Sequence, residues 1–187
     1  PCGTKDAYVE ALNVNNTIDE SRVIEKTFIA SGTCGAQGDN LTWELSCDSI
    51  LTISGTGEMV DWNYGEQNYA PWSDYSNFVV TVILPDGLTH IGHSAFFGCS
   101  KLQNINIPNT VMSVGEYALT KSSNPLLPII NGIRYADTYL VAPINNNLSS
   151  YIIEEGTKWI GTHAFYTVAI SYITIPNSVI GIGSGSF

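Results

Sequence analysis

Apolar residues recur two apart in four short runs, Val82/Leu84, Ile105/Ile107, Tyr151/Ile153 and Ile173/Ile175. That period predicts short strands with these residues turned inward and their neighbours turned out. The outward set is Thr81 and Ile83, Asn104 and Asn106, Ser150 and Ile152, Tyr172 and Thr174. After each run come a proline or acid, a small turn, an apolar residue, an Ile/Val-Gly pair, and Ala or Ser before Phe or Leu. The copies read ILPDGLTHIGHSAF at 83–96, INIPNTVMSVGEYAL at 105–119, IIEEGTKWIGTHAF at 152–165 and ITIPNSVIGIGSGSF at 173–187. Gly92 and Gly115 stand 23 residues apart, Gly161 and Gly183 22. Such a repeat predicts a solenoid, because one unit buries too little apolar surface alone and stacking supplies the core. Pro85, Pro108 and Pro176 end the strand, since proline has no N–H for the ladder. Gly92, Gly115, Gly161 and Gly183 are expected to serve a tight turn or a positive φ. Phe96, Leu119, Phe165 and Phe187 are expected to stack as an internal ladder.

The copy due between Leu119 and Tyr151 departs from the pattern. There INGIRY and TYLVAP read as two strands joined around Ala136-Asp137, a β-hairpin inserted near 125–150. Upstream, residues 31–78 alternate around Leu41-Trp43-Leu45 and Leu51-Ile53 between Gly and Asp/Asn clusters, which predicts a β-hairpin or meander that caps the repeats. The loop after it carries Trp62, Tyr64, Tyr69, Trp72, Tyr75 and Phe78. Such a group stacks on sugars or shields the open core end; the second reading is favoured, because an uncapped end would aggregate. Residues 1–30 are the most polar segment and read as a leader or spacer. Within it Asp19 before SRVIEKTFI reads as a helix start, and VIEKTFIA equally as a strand. The expected division is therefore 1–30, a capping module over 31–78, and repeats over 79–187.

Composition narrows the function. At 44% hydrophobic and 13% charged residues, the 187-residue chain folds. Seven Lys and Arg against 17 Asp and Glu leave a net charge of −10. That argues against nucleic acid, which needs clustered cations, and against an anionic membrane surface. The apolar runs are too short for a membrane-spanning helix. The chain opens on Pro1 and reads as a mature or trimmed form, so a missing signal peptide says nothing about compartment. It stops at Phe187 within a repeat, where either more chain or a partner would cover the end.

Candidate chemistry is sparse. Of the four cysteines, Cys34 and Cys47 flank LTWEL at a spacing that suits a hairpin staple; the alternative is two buried thiols. Cys99 reads as a buried thiol, and without a CxxC pair or Cys/His cluster zinc is not expected. His90, His93 and His163 occupy non-equivalent repeat positions, so they build no stacked metal ladder and read as surface or turn histidines. The acids Asp39, Asp48, Glu58, Asp61, Glu66 and Asp74 are scattered and form no calcium loop. No nucleophile elbow, phosphate loop or dinucleotide fingerprint is present, and Gly55-Thr56-Gly57 belongs to a strand–turn context. Neither cofactor nor metal is implied. The sequons at Asn15, Asn40 and Asn147 matter only in a eukaryotic secretory path.

The x-Ile-Pro-x-x-Val-x-x-Ile-Gly-x-x-Ala-Phe pattern of residues 79–187 resembles the BspA-like leucine-rich repeats of bacterial and protozoal surface proteins. SGTCG at 31–35, LTW at 41–43, LTISGTGEM at 51–59 and APW at 70–72 resemble the module that often precedes such repeats. The first 30 residues match nothing of the kind. The resemblance implies an α/β leucine-rich-repeat solenoid, β-rich with little helix. It also implies an exported, non-enzymatic protein at the cell surface that binds an extracellular protein or glycan, and it supplies no catalytic residues. The outward residues that differ between copies, Thr81, Asn104, Asn106, Ser150, Tyr172 and Thr174, are the expected binding positions. Alternatives are a spacer that presents another domain and, last, a hydrolase with a site outside known motifs.

Overall fold

A computed structural model of the chain describes residues 28–119 and 126–187. The expectations for Asp19 and Asn15 lie outside the described residues.

The first three strands, β1 (Phe28–Gly35), β2 (Gly38–Ser46) and β3 (Ile50–Glu58), form the expected antiparallel meander. Leu41, Trp43, Leu45, Leu51 and Ile53 are buried, while Thr42 and Glu44 between them are exposed. Asn40 knots the open end of this meander. Its Oδ1 accepts the Gln37 N–H at 2.9 Å, and its Nδ2 donates to the carbonyls of Thr56 at 2.8 Å and Glu58 at 3.3 Å. A Cβ on Gly35 would stand 2.0 Å from that Oδ1. At Gly55, where φ is +111°, a Cβ would stand 2.1 Å from the Asn40 carbonyl oxygen. Gly35, Gly55 and Gly57 are therefore required by their approach to Asn40, whereas a Cβ on Gly32 would meet Trp43 Nε1 at 2.9 Å.

The other edge of β3 starts the repeats. Its first half, Ile50–Thr52, pairs in parallel with β4 (Thr81–Ile83), and its second half, Thr56–Glu58, with β5 (Gly87–Ile91). β6 (Asn104–Asn106) then adds to β4, Thr81 opposite Asn104, and β7 (Ser113–Val114) to β5, His90 opposite Ser113. These make one seven-stranded sheet. The insert is the expected hairpin: β9 (Ile133–Ala136) and β10 (Tyr139–Pro143) are antiparallel, with β8 (Ile129–Ile130) beside β9. β12 (Trp159–Ile160) and β14 (Gly181–Ile182) continue from β10 in parallel, Ile160 opposite Ile182. β11 (Ser150–Ile152) and β13 (Tyr172–Thr174) form a separate parallel pair, Ser150 opposite Tyr172. The chain is β-rich; its described helical segments, Tyr64–Glu66 and Ser73–Phe78, are 3-10 turns, and no α-helix occurs among the described residues.

The inward positions Val82, Leu84, Ile107, Tyr151 and Ile153 are buried, as are Phe96, Leu119 and Phe165. Ile105 and Ile173 are half-buried. The inward assignment of Ile175 fails, at 40% exposed; Phe187 is 57% exposed but keeps its place in the ladder. Phe187 stacks on Phe165 at 5.5 Å, but no later rung among the described residues covers either side chain. Trp72 is the hub of the first core. It lies edge-on to Trp43 and Trp62, stacks on Phe96, and donates from Nε1 to the Ala95 carbonyl at 2.7 Å.

The repeat glycines open a turn as expected, the Gly92, Gly115 and Gly161 carbonyls accepting the N–H of Ala95, Ala118 and Ala164, but a second constraint also acts on them. Gly92, Gly115, Gly161 and Gly183 do not have positive φ. They sit where successive backbones touch: a Cβ on Gly92 would be 1.8 Å from the Val60 carbonyl oxygen, and one on Gly115 2.3 Å from the His93 nitrogen. The positive φ comes two residues later, at Ser94, Tyr117, His163 and Gly185.

The Cys34–Cys47 staple does not form. Cys34 is a free buried thiol, whereas Cys47 is disulfide-bonded. Cys34 stands on β1 beside the start of β2 and Cys47 just past its end, roughly 20 Å apart at about 3.3 Å per residue, and a disulfide needs Cα atoms within about 7 Å.

Candidate functional site

The outward residues do not form one continuous face. Thr81 and Ile83 on β4 lie beside Asn104 and Asn106 on β6. Their alternation with Val82 and Ile105 leaves hydroxyl, amide and one isoleucine side chain on the outer surface, with Ile83 47% exposed. The hairpin segment then rises beside this floor. Leu127, Pro128 and Asp137 join it to enclose an open groove of about 350 Å³. Asp137 occupies the β9–β10 turn with φ +52° and its Oδ2 accepts the Ile107 N–H at 2.7 Å, which ties the turn to the end of the β6 run.

Ser150, Tyr172 and Thr174 lie elsewhere, on the β11–β13 pair, because the hairpin interrupts the ladder between β6 and β11. Tyr172 is 63% exposed, and its hydroxyl oxygen accepts from Thr174 Oγ1 at 3.3 Å. Of the six candidate positions the groove therefore gathers Thr81, Asn104 and Asn106. Leu127, Pro128 and Asp137 were missed as site residues; the signal was the break in the repeat itself, which marked the hairpin but not the direction it folds.

A second groove of about 210 Å³ shares Asp137 with the first and holds Tyr135, Glu154, Glu155 and Thr157. The Glu154 N–H donates to the Tyr135 hydroxyl at 3.1 Å, and Asn131 Nδ2 to Glu154 Oε2 at 3.2 Å. Burial raises the Tyr135 phenol above its ordinary range.

The histidines are not isolated. Asp61 Oδ1 accepts from His90 Nε2 at 3.0 Å and from the His93 backbone N–H at 2.8 Å, and His90 Nδ1 meets Ser113 Oγ at 2.6 Å. Burial opposes ionisation of Asp61, but these hydrogen bonds and the charges of His93 and His90 outweigh it and hold the carboxyl below its usual range. The Asp–His–Ser order is that of a nucleophilic triad. Here the three are neighbours on successive rungs, His90 paired in register with Ser113, and they bind those rungs together side by side. His163 packs against Tyr117 and Tyr166. Of the aromatic loop, Trp62 and Trp72 are buried and closed to a sugar, Tyr75 is half-buried, and Tyr69 and Phe78 are exposed. Among the described residues no three His, Cys, Asp or Glu are grouped to hold a metal ion. No described helix is long and apolar enough to cross a membrane.

The BspA type leucine-rich repeat region matches residues 74–187 in six copies. No curated protein matches the chain. Three solved structures are similar to it. A leucine-rich repeat protein from Eubacterium ventriosum is 18% identical over 85% of this chain and 63% of its own, with a TM-score of 0.47. A leucine-rich cell surface protein from Faecalibacterium prausnitzii is 20% identical over 85% of this chain and 46% of its own, with a TM-score of 0.35. A leucine-rich repeat protein from T. pallidum is 20% identical over 83% of this chain and 66% of its own, with a TM-score of 0.36. This chain thus spans under two thirds of each. The family model covers more than half of the 187 residues, and the chain belongs to the BspA-type leucine-rich-repeat family.

Proposed function

We propose that this chain is part of an exported, non-enzymatic surface protein that binds an extracellular protein or glycan through the β4–β6 groove. The observation that carries this reading is the convergence of Thr81, Asn104 and Asn106 with Pro128 and Asp137 around one cavity of about 350 Å³, within the range of about 300–1,000 Å³ usual for ligand sites. In this reading residues 31–78 are a capping module and residues 79–187 a solenoid. The parallel pairing of both halves of β3 with β4 and β5 supports it, because the cap then supplies the first rung. The repeated residues build the scaffold, and the variable outward ones do the recognising. Membership of a family of surface repeat proteins supports the placement outside the cell.

The test is a binding screen against extracellular-matrix proteins and glycans, followed by two single variants. Asn104→Arg should weaken capture of the ligand found, with the melting temperature nearly unchanged, whereas Tyr172→Ala on the separate β11–β13 pair should not. Equal affinity of Asn104→Arg and the parent chain would remove the groove from consideration.

A further inference from the structure

We infer that the groove takes an extended protein segment bearing an arginine or lysine, with the charged head seated at Asp137 and the aliphatic stem across Ile83 and Pro128. This rests on the groove being the recognition site. The lining supports a cationic protein group over a sugar. Thr81, Asn104 and Asn106 offer neutral polar groups, and Asp137 is the one charged residue among those that line the groove. None of the described lining residues is aromatic, so the stacking platform that neutral sugars commonly need is missing. The loop tryptophans Trp62 and Trp72 are core, 6% and 1% exposed, and line no part of this groove.

The carboxylate is held in place and keeps capacity. One N–H, from Ile107, binds Oδ2, and a carboxylate has about four acceptor sites. A guanidinium or ammonium can therefore join without displacing the bond that fixes the turn. The same turn also borders the second groove, whose lining includes Glu154 and Glu155. The cations close by are engaged: Arg134, the one base on the hairpin, donates to the Leu127 carbonyl at 3.5 Å, and Lys158 bonds Asn109. Neither lines either groove. With a net charge of −10, the chain as a whole also attracts a basic partner before contact. Long side chains such as Arg and Lys lay their methylenes on apolar surface and keep the head in polar surroundings, which matches Ile83 and Pro128 lying alongside Asp137.

The experiment is two-dimensional amide NMR of the isotope-labelled chain. The probes are acetyl-Leu-Ser-Arg-Ser-Leu-amide, the same peptide with uncharged citrulline in place of arginine, and maltohexaose. The arginine peptide should shift the amides of Ile83, Asn104, Asn106 and Thr138. The citrulline peptide should bind about tenfold more weakly, the loss expected for a charge-assisted contact. Asp137→Asn, whose side chain tolerates positive φ and still accepts the Ile107 N–H, should lose a similar factor with an unchanged melting temperature. Asn104→Lys, on the exposed floor, should repel the peptide without touching the turn. Raising salt from about 50 to about 500 mM should weaken binding severalfold. Equal binding of the arginine and citrulline peptides, or indifference to both variants, would overturn the inference. If maltohexaose alone shifts these amides, the basic-segment inference falls and the groove stands as a recognition site. If no probe shifts them while a ligand from the broader screen binds elsewhere, both readings fall.

Discussion

The repeat glycines make the sharpest prediction. In Gly92→Ala the new Cβ would stand 1.8 Å from the Val60 carbonyl oxygen, 2.8 Å from its carbon and 3.3 Å from Trp62 Cζ3. Ordinary contact starts near 3.4 Å, so the two backbones must part by about 1.6 Å. They are joined on either side of this point, Met59 N–H to the His90 carbonyl and Trp62 N–H to the His93 carbonyl, both at 3.2 Å. Overpacking of this kind costs about 1–3 kcal/mol, and each hydrogen bond stretched out of range about 1 kcal/mol. Alanine returns about 0.4–1 kcal/mol by stiffening the unfolded chain. The net loss is about 3 kcal/mol, which for a chain of this size lowers the melting temperature by about 6–12 °C. The assay is thermal unfolding by circular dichroism, repeated in urea. Gly156→Ala is the control: its φ is +87°, but nothing lies within 4 Å of the added atom. It should cost only the left-handed backbone penalty, about 1–2 kcal/mol. If Gly92→Ala melts with Gly156→Ala or above it, the close-approach account of the repeat glycine is wrong.

Three further outcomes are expected. Asn40→Ala should cost about 2–3 kcal/mol in urea unfolding, from three hydrogen bonds at about 1 kcal/mol each with an exposed rim that water partly repairs; a loss under about 0.5 kcal/mol would dismiss Asn40 as the knot of the meander. Burial pushes the Cys34 and Cys99 thiols up to about 12, so both should resist iodoacetamide in the native state at pH 8 and react once urea unfolds the chain; their contribution to stability is complete below the unfolded thiol range and fades as pH climbs toward 12. The depressed Asp61 carboxyl contributes stability above the normal carboxylate range that is lost as pH falls through its lowered folded value. The gap in melting temperature between the parent chain and Asp61→Asn should therefore shrink from about pH 6 to about pH 3, and a constant gap would count against the His90–Asp61–His93 contacts.

Much of the fold was legible in the chain, for local reasons. Alternation placed Val82, Leu84, Ile107, Tyr151 and Ile153 inside and Asn104, Asn106 and Thr174 outside, because strand geometry alternates faces whatever the partner. INGIRY and TYLVAP became β9 and β10 with the turn at Asp137, since the two runs are adjacent and pair antiparallel. The failures share a cause. Ile175 reads inward like its counterparts, yet burial needs another rung against it. Cys34 and Cys47 looked paired across a hairpin, but β2 runs its full length between them. The aromatic loop offered one list of residues in which Trp62 and Trp72 turned out to be core and Tyr69 and Phe78 surface.

The sequence alone determined the rungs: their period, their inward residues, their terminating prolines and the hairpin that interrupts them, all set by interactions within a few residues. Tertiary structure decided what the rungs do to one another. It showed that Gly92 and Gly115, besides opening a turn, stand where neighbouring backbones approach too closely for a Cβ. It also folded the hairpin over β6, so that Asp137 meets Thr81, Asn104 and Asn106 while Ser150 and Tyr172 are left on another surface. Such contacts join residues 20 or more positions apart, such as Ile107 and Asp137, and depend on how coils stack. No periodicity along one strand encodes that distance.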